Sequence, residues 1–236
     1  MSSVARVGKS PTPDGLLKKA SLRRHVLIAA LVAGLIAGCY HLVDRPAALW
    51  AHSLDSRIVL VFQYITVLGS ATPYLLALAV LYPSLCISRR LAAAKRALFV
   101  VAAIVVSGLT VDLLKPLVAR WRPTAFLADP SRYGFTFFVI GREQNSFPSG
   151  HATTAWAVAC ALSLLYPRLR ALWFVAAAAV AASRVILGEH YPGDVLAGAW
   201  FGVVITLALG GTSWFGDALE SPGEAGTPLD PPATKG

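Results

Sequence analysis

Charge is what this chain has least of. Asp, Glu, Lys and Arg supply 14% of its 236 residues while hydrophobic side chains supply 56%, against about 25% charged residues in an ordinary soluble domain. That shortage excludes a water-soluble fold and points to a membrane protein. Acidic residues are the scarcer sign, 12 against 21 Lys and Arg, leaving a net charge of +9. The excess does not make a nucleic-acid binder, because the cations sit beside apolar runs and form no basic face with interleaved aromatics. Cysteine is scarce too: Cys39, Cys86 and Cys160 lie inside apolar runs with no Cys-x-x-Cys or Cys/His spacing. A zinc site and a disulfide framework are thereby excluded, and the three are expected as small buried hydrophobes.

What is present is a series of apolar runs of about the length that crosses a bilayer. The first, residues 25–43, follows a stretch containing Arg6, Lys9, Lys18, Lys19, Arg23 and Arg24. It is too long for a cleaved signal peptide, and the basic stretch is expected to be cytoplasmic. Residues 44–57 suit a short interfacial connection. The uncharged run 58–88 exceeds one straight span and carries the breaker Gly69-Ser70-Ala71-Thr72-Pro73. Its first part is expected as an interfacial helix and its second, from about Pro73, as a span, with one long tilted helix as the alternative. Further spans are expected at 97–118, 148–165, 171–187 and 194–209. The basic groups Arg89, Arg90, Lys95 and Arg96, and later Arg168 and Arg170, fall where a cytoplasmic amino terminus would place inside loops. The expected fold is an all-α membrane protein of six transmembrane helices. Its parts are a basic cytoplasmic tail (1–24), a six-helix membrane domain (25–210) and a flexible cytoplasmic tail (211–236), with both termini inside.

Three polar clusters interrupt this background, all at the extracytoplasmic end of the expected spans. In the first, Lys115 and Arg122-Pro123 are seven residues apart, which on a helix is about 10.5 Å and two turns along one face. Taken singly, either cation would also serve as a snorkelling residue, a role that suits Arg120 and Arg132 better. Asp112, one turn earlier, would hold or neutralise the Lys115 ammonium. In the second, Phe147-Pro148-Ser149-Gly150-His151 opens a span. Pro148 at the first helical position leaves backbone N–H groups free, Gly150 lets an anion approach them, and Ser149 would cap the helix or join the anion site.

The third cluster is Ser183-Arg184 followed by Glu189-His190-Tyr191-Pro192-Gly193-Asp194. Arg184 offers bidentate donors, His190 a nucleophilic ring nitrogen, and Asp194 a carboxylate for the other nitrogen. Glu189, as the direct neighbour of His190, is expected to point elsewhere.

In order, spacing and identity, Lys115 with Arg122-Pro123, Pro148-Ser149-Gly150-His151, and Ser183-Arg184 with His190 and Asp194 resemble the three-part signature of the type 2 phosphatidic acid phosphatase superfamily. The resemblance covers about residues 112–194. It implies that Lys115, Arg122, Arg184, Ser149 and Gly150 bind phosphate. It further implies that His190 attacks phosphorus to form a phosphohistidine, that Asp194 orients His190, and that His151 protonates the leaving oxygen and then activates water. The scheme calls for no metal and no other cofactor.

With a hydrophobic body and a site at the outer face, the resemblance is to bacterial integral-membrane lipid phosphatases. The implied substrate is a lipid phosphate or diphosphate in the bilayer: undecaprenyl diphosphate, phosphatidylglycerophosphate, phosphatidate or lipid A 1-phosphate. The cytoplasmic (inner) membrane is the implied location. A lipid phosphotransferase using the same pocket and a catalytically idle phospholipid-binding protein remain as alternatives. The aromatic loop 124–145 is expected to line the lipid entrance or to form an interfacial belt.

Overall fold

In the computed structural model, residues 13–219 are described. Of the expected tails, 1–24 and 211–236, residues 1–12 and 220–236 lie outside them, and residues 13–24 belong to the first helix. Within that range the fold is helical, with only isolated β-bridges from Arg120 to Phe135 and Asn145. Helix α1 (Pro13–Gly38) passes through a π-helical turn (Cys39–Val43) into α2 (Asp44–His52) without a break. The expected end at Val43 is therefore corrected. Asp44 does not stop the helix because it is not hydrated: it is fully buried and paired.

Next come α3 (Ser56–Ile65), a 3-10 turn (Thr66–Gly69) and α4 (Ala71–Ile87), with a 42° bend at the expected Gly69-Ser70 breaker. Helix α5 (Leu91–Val118) ends where Ala119 takes a positive φ of 36°, and short α6 (Pro123–Ala128) follows. Helix α7 (Gly150–Leu165), α8 (Arg170–Ile186), α9 (Pro192–Gly210) and α10 (Ser213–Leu219) complete the chain.

Four helical stretches among the described residues are long and apolar enough to cross a membrane: Leu22–His52, Leu91–Val118, Pro167–Ile186 and Pro192–Gly210. The bent pair of α3 and α4 makes a fifth if it is one span. Helix α7 falls short at 16 residues, about 24 Å against the ~30 Å of hydrocarbon in a bilayer. Its shortness goes with its place at the centre. Ala152 to Ala155 and Ala157 to Ala161 are all buried, so other helices surround it. By contrast, the outer helices expose Leu and Val, as at Leu27, Leu31, Leu109 and Leu113, to the place of lipid.

Helix α7 packs most closely on α9, through the small residues Gly198 and Gly202. A Cβ on either would collide with backbone of α7 at Ser149 or Thr153. This close approach lets the Ser149 N–H donate to the Asp194 carbonyl at 3.0 Å, joining the starts of the two helices.

Two further expectations change. The tail assigned from 211 onward begins with a folded element: α10 returns Phe215 to the core, 5.2 Å from the Phe99 ring. Of the three cysteines only Cys160 is buried, while Cys39 and Cys86 are half-buried, since they lie on outer helices whose apolar faces need no protein cover in lipid.

Candidate active site

All three polar clusters meet at one end of the bundle, but not by the helical spacing expected for the first. Arg122 lies beyond the end of α5, so Lys115 and Arg122 do not share a helix face. The positive φ at Ala119 turns the chain. The Ala119 N–H bonds the Lys115 carbonyl at 2.7 Å, and the Ala119 carbonyl accepts from Thr136 N–H at 2.7 Å. The turn carries Arg122 back toward the bundle axis, and both cations lie within Coulombic reach of His151. Asp112 holds the Lys115 ammonium at 2.7 Å, and a Cβ on Gly150 would sit 3.3 Å from Lys115 Nζ. Lys115 thus faces the start of α7, where backbone donors and the positive end of the helix dipole converge.

Helix α7 begins at Gly150, with Ser149 as N-cap and Pro148 outside, so Pro148 is not at the first helical position. The Ser149 side chain does not cap. Its hydroxyl is buried, makes no hydrogen bond, and leaves the helix-start donors to another partner. His151, one residue into the helix, is half-buried beside it.

At the end of α8, the Arg184 guanidinium is largely buried. It donates through Nη1 to Thr66 Oγ1 at 2.8 Å, and its Nε has no partner. Gly188 adopts φ 65°, a left-handed turn that suits glycine. The N–H groups of both Glu189 and His190 then bond the Arg184 carbonyl, at 3.1 and 3.2 Å. This turn overturns the expectation for Glu189. In so tight a turn neighbouring side chains need not diverge, and the Glu189 carboxylate hydrogen-bonds Arg122 and lies 3.7 Å from Arg184. Arg122 and Arg184 share that one carboxylate.

His190 is buried, with Nδ1 2.7 Å from the Ser146 carbonyl. A carbonyl only accepts, so Nδ1 carries the proton and Nε2 keeps its lone pair. Asp194 Oδ2 stands 3.8 Å from Nδ1, beyond hydrogen-bond range. The expected direct bond from Asp194 to His190 is therefore made by Ser146, and Asp194 acts one step back. Its Oδ2 accepts from Ser146 Oγ at 2.6 Å and from Tyr191 N–H at 2.9 Å. Burial pushes the His190 imidazole below its ordinary value, with Asp194 partly opposing, so the ring is neutral near pH 7.

Sequence reasoning missed a second centre behind the first. Arg120, assigned to the membrane surface, is 1% exposed. One guanidinium nitrogen donates to Asp194 and the other to Asp44 Oδ2 at 2.7 Å. Asp44 in turn accepts from Gly193 N–H at 2.9 Å. The rings of Tyr191, Tyr40, Phe135 and Tyr133 lie 4.4 to 5.7 Å from the guanidinium carbon. Burial works against the Arg120 charge, but Asp194 and Asp44 more than offset it and raise its pKa. The sequence signal was weak: Asp44 directly follows the apolar run 25–43, but its neighbour Arg45 stands as a nearer partner than Arg120. Arg132 does lie at the surface, 3.4 Å from both Asp129 and Glu143.

The site thus holds two histidines, three cations from separate elements and a helix start with an idle hydroxyl. That set can bind a phosphate and attack it. No group of His, Cys, Asp and Glu among the described residues is arranged to hold a metal ion.

Known proteins resemble this chain in sequence and in fold. The chain is 43% identical over 99 residues to a lipid A 1-phosphatase of Rhizobium etli; the match covers 42% of each, so less than half of that relative's length is spanned. Among solved structures, Aquifex aeolicus LpxE aligns with TM-score 0.52 at 25% identity, over 69% of this chain and 91% of that one. A PAP2-type phosphatidylglycerolphosphate phosphatase from Bacillus subtilis aligns with TM-score 0.57 at 21% identity, over 79% and 94%, which bears on the fold alone. The family model described as the PAP2 superfamily matches residues 96–215, half of the chain and the stretch within which the three clusters fall, and the chain belongs to that superfamily.

Proposed function

We propose that this chain is a membrane phosphatase that removes a phosphate from a lipid through a phosphohistidine on His190. The observation that carries the reading is the charge balance at the start of α7. Arg122 and Arg184 share a single carboxylate, Lys115 stands beside Gly150, and the buried Ser149 hydroxyl has no partner. Against these three cations stand two carboxylates, Asp112 and Glu189, and the remaining positive charge with idle donors beside it favours the binding of an anion.

The chemistry follows from the same contacts. Nε2 of neutral His190 attacks phosphorus, the bond from phosphorus to the lipid oxygen breaks, and His151 gives that oxygen a proton. Water then attacks the phosphohistidine as His151 takes a proton from it; the P–N bond breaks, and inorganic phosphate leaves. Arg122, Arg184, Lys115, Ser149 and the N–H of Gly150 hold the equatorial oxygens throughout. Asp194 fixes Ser146, and through it the His190 tautomer. No step draws on a metal.

The basic groups at Arg89 and Arg90 and at Arg168 and Arg170 lie at the ends of helices opposite the site, which supports an extracytoplasmic site with both termini inside. The relative's name makes lipid A 1-phosphate the first of the four substrates to test. Purified protein in detergent is expected to release phosphate from at least one of lipid A 1-phosphate, phosphatidylglycerophosphate, phosphatidate and undecaprenyl diphosphate in the presence of EDTA, and to be blocked by orthovanadate. Activity lost in EDTA and restored by Mg²⁺ would refute the mechanism. Transfer of phosphate to a second lipid instead of water would show a phosphotransferase.

A further inference from the structure

The phosphate pocket is not empty of anion: its own chain supplies one. Glu189, 39% exposed, reaches in from the turn at Gly188 and joins Arg122, from the α5–α6 connection, to Arg184, at the end of α8. Both arginine side chains are far more buried, at 19% and 9%. A carboxylate is a planar monoanion with two equivalent oxygens. In charge and in oxygen count it matches the two free oxygens of a phosphodiester.

A protein in a bilayer is surrounded by phosphodiester headgroups at very high local concentration, and three cations around a helix start would bind them. To enter, a diester must displace Glu189, exchanging one charge of −1 for another. It must do so against a carboxylate tethered in place, whose effective concentration is itself on the order of millimolar or higher. A terminal phosphate brings a charge near −2 and three free oxygens, enough for Arg122, Arg184 and the α7 start together.

We propose that Glu189 is a specificity-determining residue, a tethered carboxylate that withholds Arg122 and Arg184 from the phosphodiesters of the surrounding bilayer and yields them to a terminal phosphate. This rests on the reading of the pocket as a phosphate site. The turn at Gly188 fixes the carboxylate near the arginines, and its partial exposure leaves it a path outward when displaced.

The test compares wild type with Glu189→Gln, which keeps size and hydrogen bonding but removes the charge. Apparent KM for phosphatidate, or for whichever of the four lipids is turned over fastest, is measured in mixed micelles. These contain either phosphatidylmethanol, a diester that is the product of none of the four lipids, or the same mole fraction of additional nonionic detergent. In wild type the two diluents should give KM values within about twofold. In E189Q phosphatidylmethanol should compete and raise KM about tenfold over nonionic detergent, the scale of one charge-assisted hydrogen bond. Each protein is its own reference, so a change in turnover does not disturb the ratio. Equal ratios in the two proteins would overturn the proposal.

A second measurement needs no variant: inorganic phosphate should inhibit wild type, and dimethyl phosphate at the same concentration should not. Equal inhibition by both would also overturn it. Failure of the underlying phosphate-site reading looks different, since wild type would then neither bind orthovanadate nor turn over any of the four lipids, and both proposals would fall.

Discussion

Arg120 and Arg122 are two residues apart and meet opposite fates. Arg120 faces two buried carboxylates, Asp44 and Asp194, inside a cage of aromatic rings. Arg122, together with Arg184, shares one half-exposed carboxylate. One charge of +1 confronts −2 in the cage, and +2 confronts −1 in the pocket. The first arrangement is finished without a ligand; the second, with Glu189 as its one carboxylate, is a negative charge short. Burial and hydrogen-bond quality do not separate a structural from a functional arginine here, since both are largely buried and both keep an unpartnered Nε. The local balance of charge does.

If that contrast holds, the two centres should fail in different ways when broken. The largest effect is expected in the pocket. His190→Ala should cost on the order of 10⁴-fold or more in turnover, and Arg122→Ala about 10²- to 10³-fold, with thermal unfolding in detergent close to wild type for both. Near-normal turnover of H190A would remove it from the nucleophile role.

Arg120→Ala should show the reverse emphasis. Removing one partner of a buried ion pair leaves the others uncompensated and costs about 3–5 kcal/mol. Here two carboxylates would be stranded, so a large loss of stability is expected, read as a lowered denaturation midpoint. Asp44→Asn combined with R120A should recover part of it, because one of the stranded charges is gone. If R120A unfolded like wild type and only turnover suffered, Arg120 would belong to the catalytic centre.

The same contrast explains what could be read from the sequence. Much of the pocket was legible because Lys115, Arg122, Ser149, Gly150, His151, Arg184, His190 and Asp194 stand out from apolar runs and follow the order of a known three-part signature. The cage was not, because its partners are 76 and 74 positions from Arg120, and no local pattern ties Asp44 to it. Helix placement was legible from hydropathy, but the first span was ended at Val43 because the polar residues of 44–57 suit an interfacial connection, whereas the helix runs on through a buried, paired Asp44. The Glu189 expectation failed for a related reason, since the left-handed turn at Gly188 is a backbone feature that residue spacing on a helix does not capture. The direct bond of His190 to Ser146 was hidden because a backbone carbonyl leaves no trace in the sequence.

A smaller effect probes how the cage serves the pocket. Burial holds the His190 pKa below its ordinary 6.5, so the proposed nucleophile stays neutral through mild acid and the acid limb of kcat/KM should fall below pH 6.5. The sign is the same for stability. The unfolded chain takes up the proton first as pH falls, so the His190 contribution is present above pH 6.5 and lost as pH drops through the folded value. The Asp194 carboxylate favours the protonated ring, so Asp194→Asn should move the acid limb further down as it lowers turnover. A limb that moved up would mean that Asp194 does not act on His190.

The smallest expected effect tests the wall of the cage. Tyr133 Oη donates to the Tyr40 carbonyl at 2.5 Å, Arg45 lies 4.2 Å over its ring, and the ring stacks on Tyr40 with centroids 5.0 Å apart. Its hydroxyl is pushed up to about 12, first by burial, so it is a neutral donor at every pH of interest. Tyr133→Phe keeps the ring, and with it most of the packing around Arg120, and removes two hydrogen bonds: the one to Tyr40, worth about 1 kcal/mol, and a long one of 3.4 Å accepted from Arg120 Nη2, which adds little at that length. The Tyr40 carbonyl lies in the π-helical turn that carries the first helix on to Asp44, so the loss should appear in stability, at about a quarter of the R120A effect, with kcat/KM within about twofold of wild type. If Y133F instead cut turnover as deeply as R122A does, the cage would be part of the substrate site, and the division between a finished and an unfinished arginine would be wrong.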